Sequence, residues 1–269
     1  MITLLTTLSI DNQLVTEVRE KGLLSACFNT SDIDASIAGA NVLLLNWPHI
    51  LSESFVVRQK NVLNVHNSLL PRYRGRHAFS WAISNGEKVL GYSLHKVTSK
   101  VDAGEILAQT SFALHSSEDI NDAICVGGRV LRKWLPKILL DWVNGELTPR
   151  IQDEAQATYF PRRHLHDNWI EAFDDANTVM NLVRAVSPPY AKGAFCKTVT
   201  GETLNISSCR VIDRAKNEFM PGSIICNDGR AIVVACRKGV VSLVPVSSIL
   251  LRFLRPGDLL LGKVDAQLN

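Results

Sequence analysis

The sequence predicts a mostly parallel α/β domain followed by a small all-β domain. Over the first part of the chain, short apolar runs alternate with segments of helical periodicity. From Ala194 onward the texture changes to short alternating runs separated by Gly, Asn-Asp-Gly and Arg-Lys-Gly. A chain of 269 residues is long enough for one large domain and one small one. The expected boundaries are 1–150, then a connecting segment and helix over 151–190, then 191–269.

The first strand is "ITLLTT", a short run rich in branched residues. A helix should follow over "DNQLVTEVREKG", capped by Asp11, with Leu14, Val15 and Val18 on one face and Gly22 at its end. "LLSACFN" is a second strand, Asp32 to Ile37 a short helix, and "NVLLLN" (41–46) a third strand. A short helix over 52–59 leads to the strand "NVLNVH" (61–66). "HAFSWAIS" (77–84) has helical spacing, and "GYSLHKV" and "EILAQTSFAL" read as two strands joined by "TSKVDAG". Ser117 to Asn144 is a long helix with a cap signal at "SSED" and a kink or break expected at Pro136. The polar, aromatic stretch over 149–175 reads as a connection, and a helix over 174–187 stops at Pro188-Pro189. The later runs "AFCKTV", "TLNISSCRVI", "GSIIC", "AIVVACRK" and "VVSLVPV" suit an open barrel.

Bulk composition bounds the function. Net charge is +3, and no long single-sign run occurs, so no nucleic-acid partner is expected. Six cysteines lack CxxC spacing and neighbouring histidines, which argues against a disulfide framework or a zinc site. His164 and His166 lie two apart without a third ligand, so no metal is proposed there. The opening "MITLLTTLSIDNQ" lacks a basic region with a signal-type cleavage site, and no apolar run reaches spanning length. A cytoplasmic location without membrane attachment is the expectation.

"NVHNSLLPRYRG" (64–75) is the stretch that carries chemistry. Residues i and i+2 of a strand point to one face, so Asn64 and His66 sit together where a parallel strand ends. Ligands of α/β sheets bind at that edge. The loop holding Asp102 follows another strand and can bring a carboxylate to the same place. A histidine is tunable near neutral pH, an aspartate favours its charged form, and an asparagine offers a neutral donor to an oxyanion. Alone, an Asn-x-His pair is more often a hydrogen-bonded strand end, and an Asp-x-Gly is usually a turn.

"NVHNSLLPRYRG" followed by "GYSLHKVTSKVDAGEILAQ" resembles the signature of the N10-formyltetrahydrofolate-dependent formyltransferases. The pattern runs Asn-x-His-x-Ser-x-Leu-Pro-x-x-x-Gly, then a Gly-x-x-x-His strand, then Asp-x-Gly. The resemblance is strong over residues 40 to 115 and looser elsewhere. It implies a Rossmann-like first domain, an OB-like open barrel after it, and a catalytic triad of Asn64, His66 and Asp102. It further implies that N10-formyltetrahydrofolate lies against the backbone of "PHIL", at His49 and Leu51, and against the Val101–Gly104 loop. His95 falls where the family has a histidine lining the site. Two departures stand out. Asn67 replaces the usual proline after the catalytic histidine, and "TTLSIDN" has no glycine-rich phosphate loop of the glycinamide ribonucleotide type.

The formyl acceptor is read from the second half. "TYFPRRHLHDNWIEAFDDANTVMNLVRAVSPPYAKGAF" resembles the corresponding segment of nucleotide-sugar N-formyltransferases. "PGSIICNDGRAIVVACRKGVVSLV" is similar to the small barrel that such enzymes share with methionyl-tRNA formyltransferases. No basic insertion for gripping tRNA follows the first strand. Tyr159, Arg162 and Arg163 of "YFPRR" suit a diphosphate and a ring, although each arginine alone is as easily a solvated linker residue. Trp81 and Tyr190 read as packing residues. The expected acceptor is the amine of a nucleotide-linked amino-deoxysugar, handled by a monomer or a homodimer. The rivals are methionyl-tRNA, a hydroxylated ornithine, and a folate-binding regulatory protein without turnover.

Overall fold

The computed structural model describes residues 1–9, 12–28, 37–216 and 218–263. They divide into two compact units. The first comprises Met1–Ala78, Val89–Ala113 and Cys125–Pro161; the second comprises Phe79–Lys88, Leu114–Ile124 and the chain from Arg162 on.

The strands described in the first unit are β1 (Ile2–Thr6), β2 (Leu24–Phe28), β3 (Asn41–Leu45), β4 (Asn61–His66), β5 (Arg74–Gly75), β6 (Val89–Lys96), β7 (Ile106–Ala113) and β8 (Tyr159–Phe160). Six of them form one sheet in the order β2-β1-β3-β4-β6-β7. β1 to β4 pair in parallel, whereas β6 and β7 run antiparallel to their neighbours. "ITLLT" is buried throughout and "NVLLL" almost throughout, as strands covered on both faces require. Leu5, Val42, Leu44, Phe55 and Val62 form one core cluster, against which Trp47 and Leu51 pack. The remaining strands, β5 and β8, make a two-stranded parallel ribbon pairing Arg74 with Tyr159 and Gly75 with Phe160.

Helix α1 (Gln13–Glu20) buries Leu14, Val15 and Val18, as their spacing predicts. Asn12 caps it by accepting from the Leu14 amide at 3.0 Å. The expected Asp11 cap and the short helix from Asp32 lie outside the described residues. Ser52 caps α2 (Glu53–Val57). After α3 (Ala78–Ser84) comes α4 (Ile120–Val143). The cap of α4 is Asp119, the last residue of "SSED": its carboxylate accepts from Asn121 at 2.7 Å, while its own amide donates to Asp122 at 3.0 Å. α4 continues through Pro136 as a single element, so of the expected kink or break the break does not occur.

The second unit carries α5 (Ala176–Ala185), capped by Asp175, and strands β9 (Ala194–Thr198), β10 (Thr203–Lys216), β11 (Ile224–Asn227), β12 (Ile232–Ala235), β13 (Lys238–Pro245) and β14 (Leu260–Leu261). They form an antiparallel sheet in the order β11-β12-β13-β10-β9-β14. The sheet curls until its edges meet: Leu260 donates to the Gly222 carbonyl at 2.9 Å and Ile224 to the Asp258 carbonyl at 2.8 Å. A side chain on Gly222 would strike the Leu260 carbonyl at 2.2 Å, so this seam needs glycine. The mostly parallel α/β sheet and the barrel-like antiparallel sheet are both present as the sequence predicts.

Candidate active site

β4 delivers Asn64 and His66 to one face at its end. β6 lies antiparallel beside it, with His95 directly opposite Asn64 and Ser93 opposite His66. Asn64 is partly exposed, while His66 and His95 are only 8% and 1% exposed. The turn between β6 and β7 returns Asp102 to both histidines. Its carboxylate places one oxygen 3.5 Å from His66 Nδ1 and the other 3.5 Å from His95 Nε2. Thus the expected triad converges, and His95 joins it as a fourth member.

Hydrogen-bond partners fix the tautomers. His95 Nδ1 lies 2.9 Å from the Lys96 carbonyl, which can only accept, so Nδ1 carries the proton. Nε2 faces both the Asn64 amide nitrogen at 3.1 Å and Asp102 Oδ1 at 3.5 Å. His66 Nε2 lies 2.8 Å from the Tyr73 carbonyl and must be a donor there. Nδ1, facing Asp102, is therefore the nitrogen that gains and loses a proton.

Electrostatics sharpen the pair. Burial pushes the His66 imidazole below the usual histidine range. Asp102 and the Tyr73 carbonyl pull it up and His95 pushes it further down, but burial dominates. Asp102 favours the charged imidazole as expected, and burial outweighs it. For Asp102, burial works to raise the carboxyl. The bond to His95, the His66 charge and the Gly75 amide overcome it and hold the carboxyl at about 2. At pH 7 the site thus pairs an ionised carboxylate with a neutral histidine.

The polar residues of the loop after β4 hold it in place. Ser68 donates to the Arg72 carbonyl at 2.7 Å, Ser93 donates to the Ser68 carbonyl at 2.6 Å, and Leu70 donates back to Ser93 at 3.0 Å. The loop ends at Gly75, whose amide donates to Asp102 Oδ2 at 2.8 Å. Gly75 has φ +100°, and a side chain there would meet the Phe160 carbonyl at 2.1 Å. Asp102 itself sits at φ +51°, a left-handed conformation that costs a non-glycine residue on the order of 1 kcal/mol. Asn67 is exposed and touches none of these contacts.

The other expected residues fall out as follows. His49 is exposed, with its ring edge against Trp47 at 5.3 Å. Leu51 packs on the core cluster. Their segment is tied to the site because Arg76, next to Gly75, donates to the Pro48 carbonyl. Val101 is 53% exposed beside Asp102. At Gly104 a side chain would strike the Lys96 carbonyl at 2.0 Å, so the turn needs glycine there. Tyr159 is exposed on its ring, and its hydroxyl accepts from Arg74. Arg162 is exposed in the second unit. Arg163 is buried there, stacked 3.8 Å over the Trp81 ring and donating to Ser84 and to the Asp167 carbonyl. This burial against Trp81 argues against the expected diphosphate contact for Arg163. Sequence reasoning also missed Tyr73, Gly75 and Gln152, which act on the site through backbone or amide groups. The signal for Gly75 was present in "RYRG".

The protein-family model described as formyl transferase matches residues 8–139, and that described as formyl transferase, C-terminal domain, matches residues 165–248. The chain belongs to the formyl transferase family. Its fold is similar to WlaRD, a sugar 3N-formyl transferase solved in the presence of dTDP and 5-N-formyl-THF, with TM-score 0.70, 16% identity, and coverage of 91% of this chain and 97% of that one. It is also similar to the N-formyltransferase from Helicobacter canadensis solved with folinic acid and dTDP-3-aminofucose, with TM-score 0.67, 14% identity, and coverage of 91% and 98%. A HypX variant from Aquifex aeolicus matches with TM-score 0.62 and 18% identity over 90% of this chain. The chain spans 44% of that HypX structure, under half its length. Among the described residues no helix is long and apolar enough to cross a membrane, and no group of three or more His, Cys, Asp or Glu is placed to hold a metal ion.

Proposed function

We propose that this protein transfers a formyl group from N10-formyltetrahydrofolate to the amine of a nucleotide-linked amino-deoxysugar. The observation that carries the chemistry is Asp102 set between His66 and His95, with Asn64 partly exposed beside them. The neutral amine attacks the formyl carbon, and its departing proton passes to His66 Nδ1, directly or through water. Asp102 stabilises the resulting imidazolium. Asn64 donates an amide hydrogen to the oxygen of the tetrahedral intermediate. The bond from formyl carbon to folate N10 then breaks, and N10 takes the proton from His66. One proton moves from amine to N10 as one formyl group moves the other way.

The residues fit a folate. In the segment after β3, the Trp47 indole N–H is buried without a hydrogen-bond partner. A buried unpaired donor costs about 1–3 kcal/mol, which the polar edge of a pterin would recover. The acceptor class is supported by the two sugar-enzyme neighbours, which this chain matches along nearly their whole length. The test is to incubate the protein with N10-formyltetrahydrofolate and a panel of thymidine-, uridine- and guanosine-diphosphate amino sugars. Mass spectrometry should find a formyl group on one of the sugars. Formylation of charged initiator tRNA or hydroxyornithine instead would replace the acceptor in this reading.

A further inference from the structure

Arg74 is fully buried yet carries a charge. Its guanidinium donates to Gln152 Oε1 from Nε at 3.1 Å and from Nη2 at 2.8 Å. It also grips both carboxylate oxygens of Glu154, at 2.7 and 3.1 Å, and the Tyr159 hydroxyl. Those bonds hold the Gln152 side chain with its oxygen toward Arg74. Its amide nitrogen therefore faces the opposite way and donates to two carbonyls, Asp102 O and Gly104 O, both at 2.7 Å. A buried fork thus reaches the backbone of the left-handed turn through one amide. The residue after Arg74 completes the hold, because the Gly75 amide binds the carboxylate of the same aspartate.

We propose that Arg74 and Gln152 are positioning residues that hold the Asp102 turn so that its carboxylate reaches both His66 and His95. The assignment rests on the formyl-transfer reading for its catalytic consequence, though not for its structural one. The charged and titratable groups facing the site are Asp102, His66 and His95. Loosening the turn withdraws the one negative charge among them. The proton affinity of His66 should then fall further, because Asp102 is the carboxylate among the described residues that raises it. A mere packing role for Gln152 has no such effect on a histidine it does not touch.

The experiment follows the side-chain nitrogens of ¹⁵N-histidine-labelled protein through a pH titration, with no substrate present. Gln152→Met keeps the volume and removes both amide groups without adding charge. Arg74→Lys keeps the charge and removes the fork. In either variant the His66 midpoint should fall by roughly half a pH unit or more, and the double variant should shift no further than the larger single, because the two residues act in series. In turnover, kcat should drop about tenfold or more while KM for the formyl donor changes less than about threefold. A natively folded Gln152→Met protein with an unchanged His66 titration and unchanged kcat overturns the proposal. Should that variant not fold, Gln152→Asn, one methylene shorter with the same amide, gives the same reading. If the unaltered protein formylates no acceptor, the activity reading fails, while the histidine titration still decides the role of Arg74 and Gln152.

Discussion

His66 and Asp102 face each other at 3.5 Å in a pocket of the first unit where both are largely buried, yet their acid–base properties move in the sense that suits a base and its counter-charge. The carboxyl stays ionised well into acid. The imidazole stays neutral at pH 7 and is ready to accept a proton.

Removing the base should remove turnover and spare binding. His66→Ala is expected to lower kcat by about 10²–10⁴-fold, the range for a positioned proton acceptor. Affinity for the formyl donor, measured by calorimetry, should stay within about threefold. A His66→Ala protein with full kcat would remove His66 from the mechanism.

Activity should have an acid limb below the ordinary histidine range. His66 must be neutral to accept the amine proton, and burial lowers its pKa from 6.5. Once corrected for the fraction of neutral amine in the free acceptor, kcat/KM should therefore hold as pH falls past 6.5 and decline only beneath it. Asp102→Asn removes the charge that pulls His66 up, so the limb should move to still lower pH. A limb above 6.5 contradicts the assignment.

The same groups set acid stability. Asp102 is depressed in the folded state from 3.8 to about 2, so its contribution is complete above pH 3.8 and is lost as pH falls toward 2. The shift corresponds to roughly 2 kcal/mol at neutral pH. His66 acts in the same direction: between 6.5 and its lower folded value the unfolded chain binds the extra proton, so stability declines as pH falls. Urea midpoints from pH 7 down to the acid limit should show both declines. The Asp102→Asn series should lack the lower one.

Two glycines should be irreplaceable for backbone reasons. Gly75→Ala forces a side chain into the Phe160 carbonyl at φ +100°, and Gly104→Ala forces one into the Lys96 carbonyl. Each should destabilise by about 2 kcal/mol or more in a denaturant titration. Gly75→Ala should also reduce kcat, because its amide holds Asp102.

Much of this site was legible because its side chains sit on regular elements. Asn64 and His66 share a strand face by simple alternation, and the core positions of α1 follow from helical spacing. Asp102 was legible as a residue but not its conformation, since a left-handed turn leaves no trace in periodicity. Arg163 misled because an arginine beside aromatic residues looks the same whether it binds phosphate or stacks on Trp81. Tyr73 and Gln152 were invisible because their contributions, a carbonyl and a side-chain amide fixed by Arg74, depend on contacts between distant segments.

Trp47→Phe probes the donor subsite. Phenylalanine keeps an aromatic ring and loses the unpartnered N–H. Donor affinity should weaken by roughly tenfold, with kcat at saturating donor nearly unchanged. Unchanged affinity would mean that the indole N–H does not meet the folate.

The most direct test of the central claim follows a ¹³C-labelled formyl group from N10-formyltetrahydrofolate in the presence of the nucleotide amino-sugar panel. The label should appear on a sugar nitrogen with the unaltered protein and not with His66→Ala. Donor that binds but keeps its label in the presence of every amine offered would contradict it.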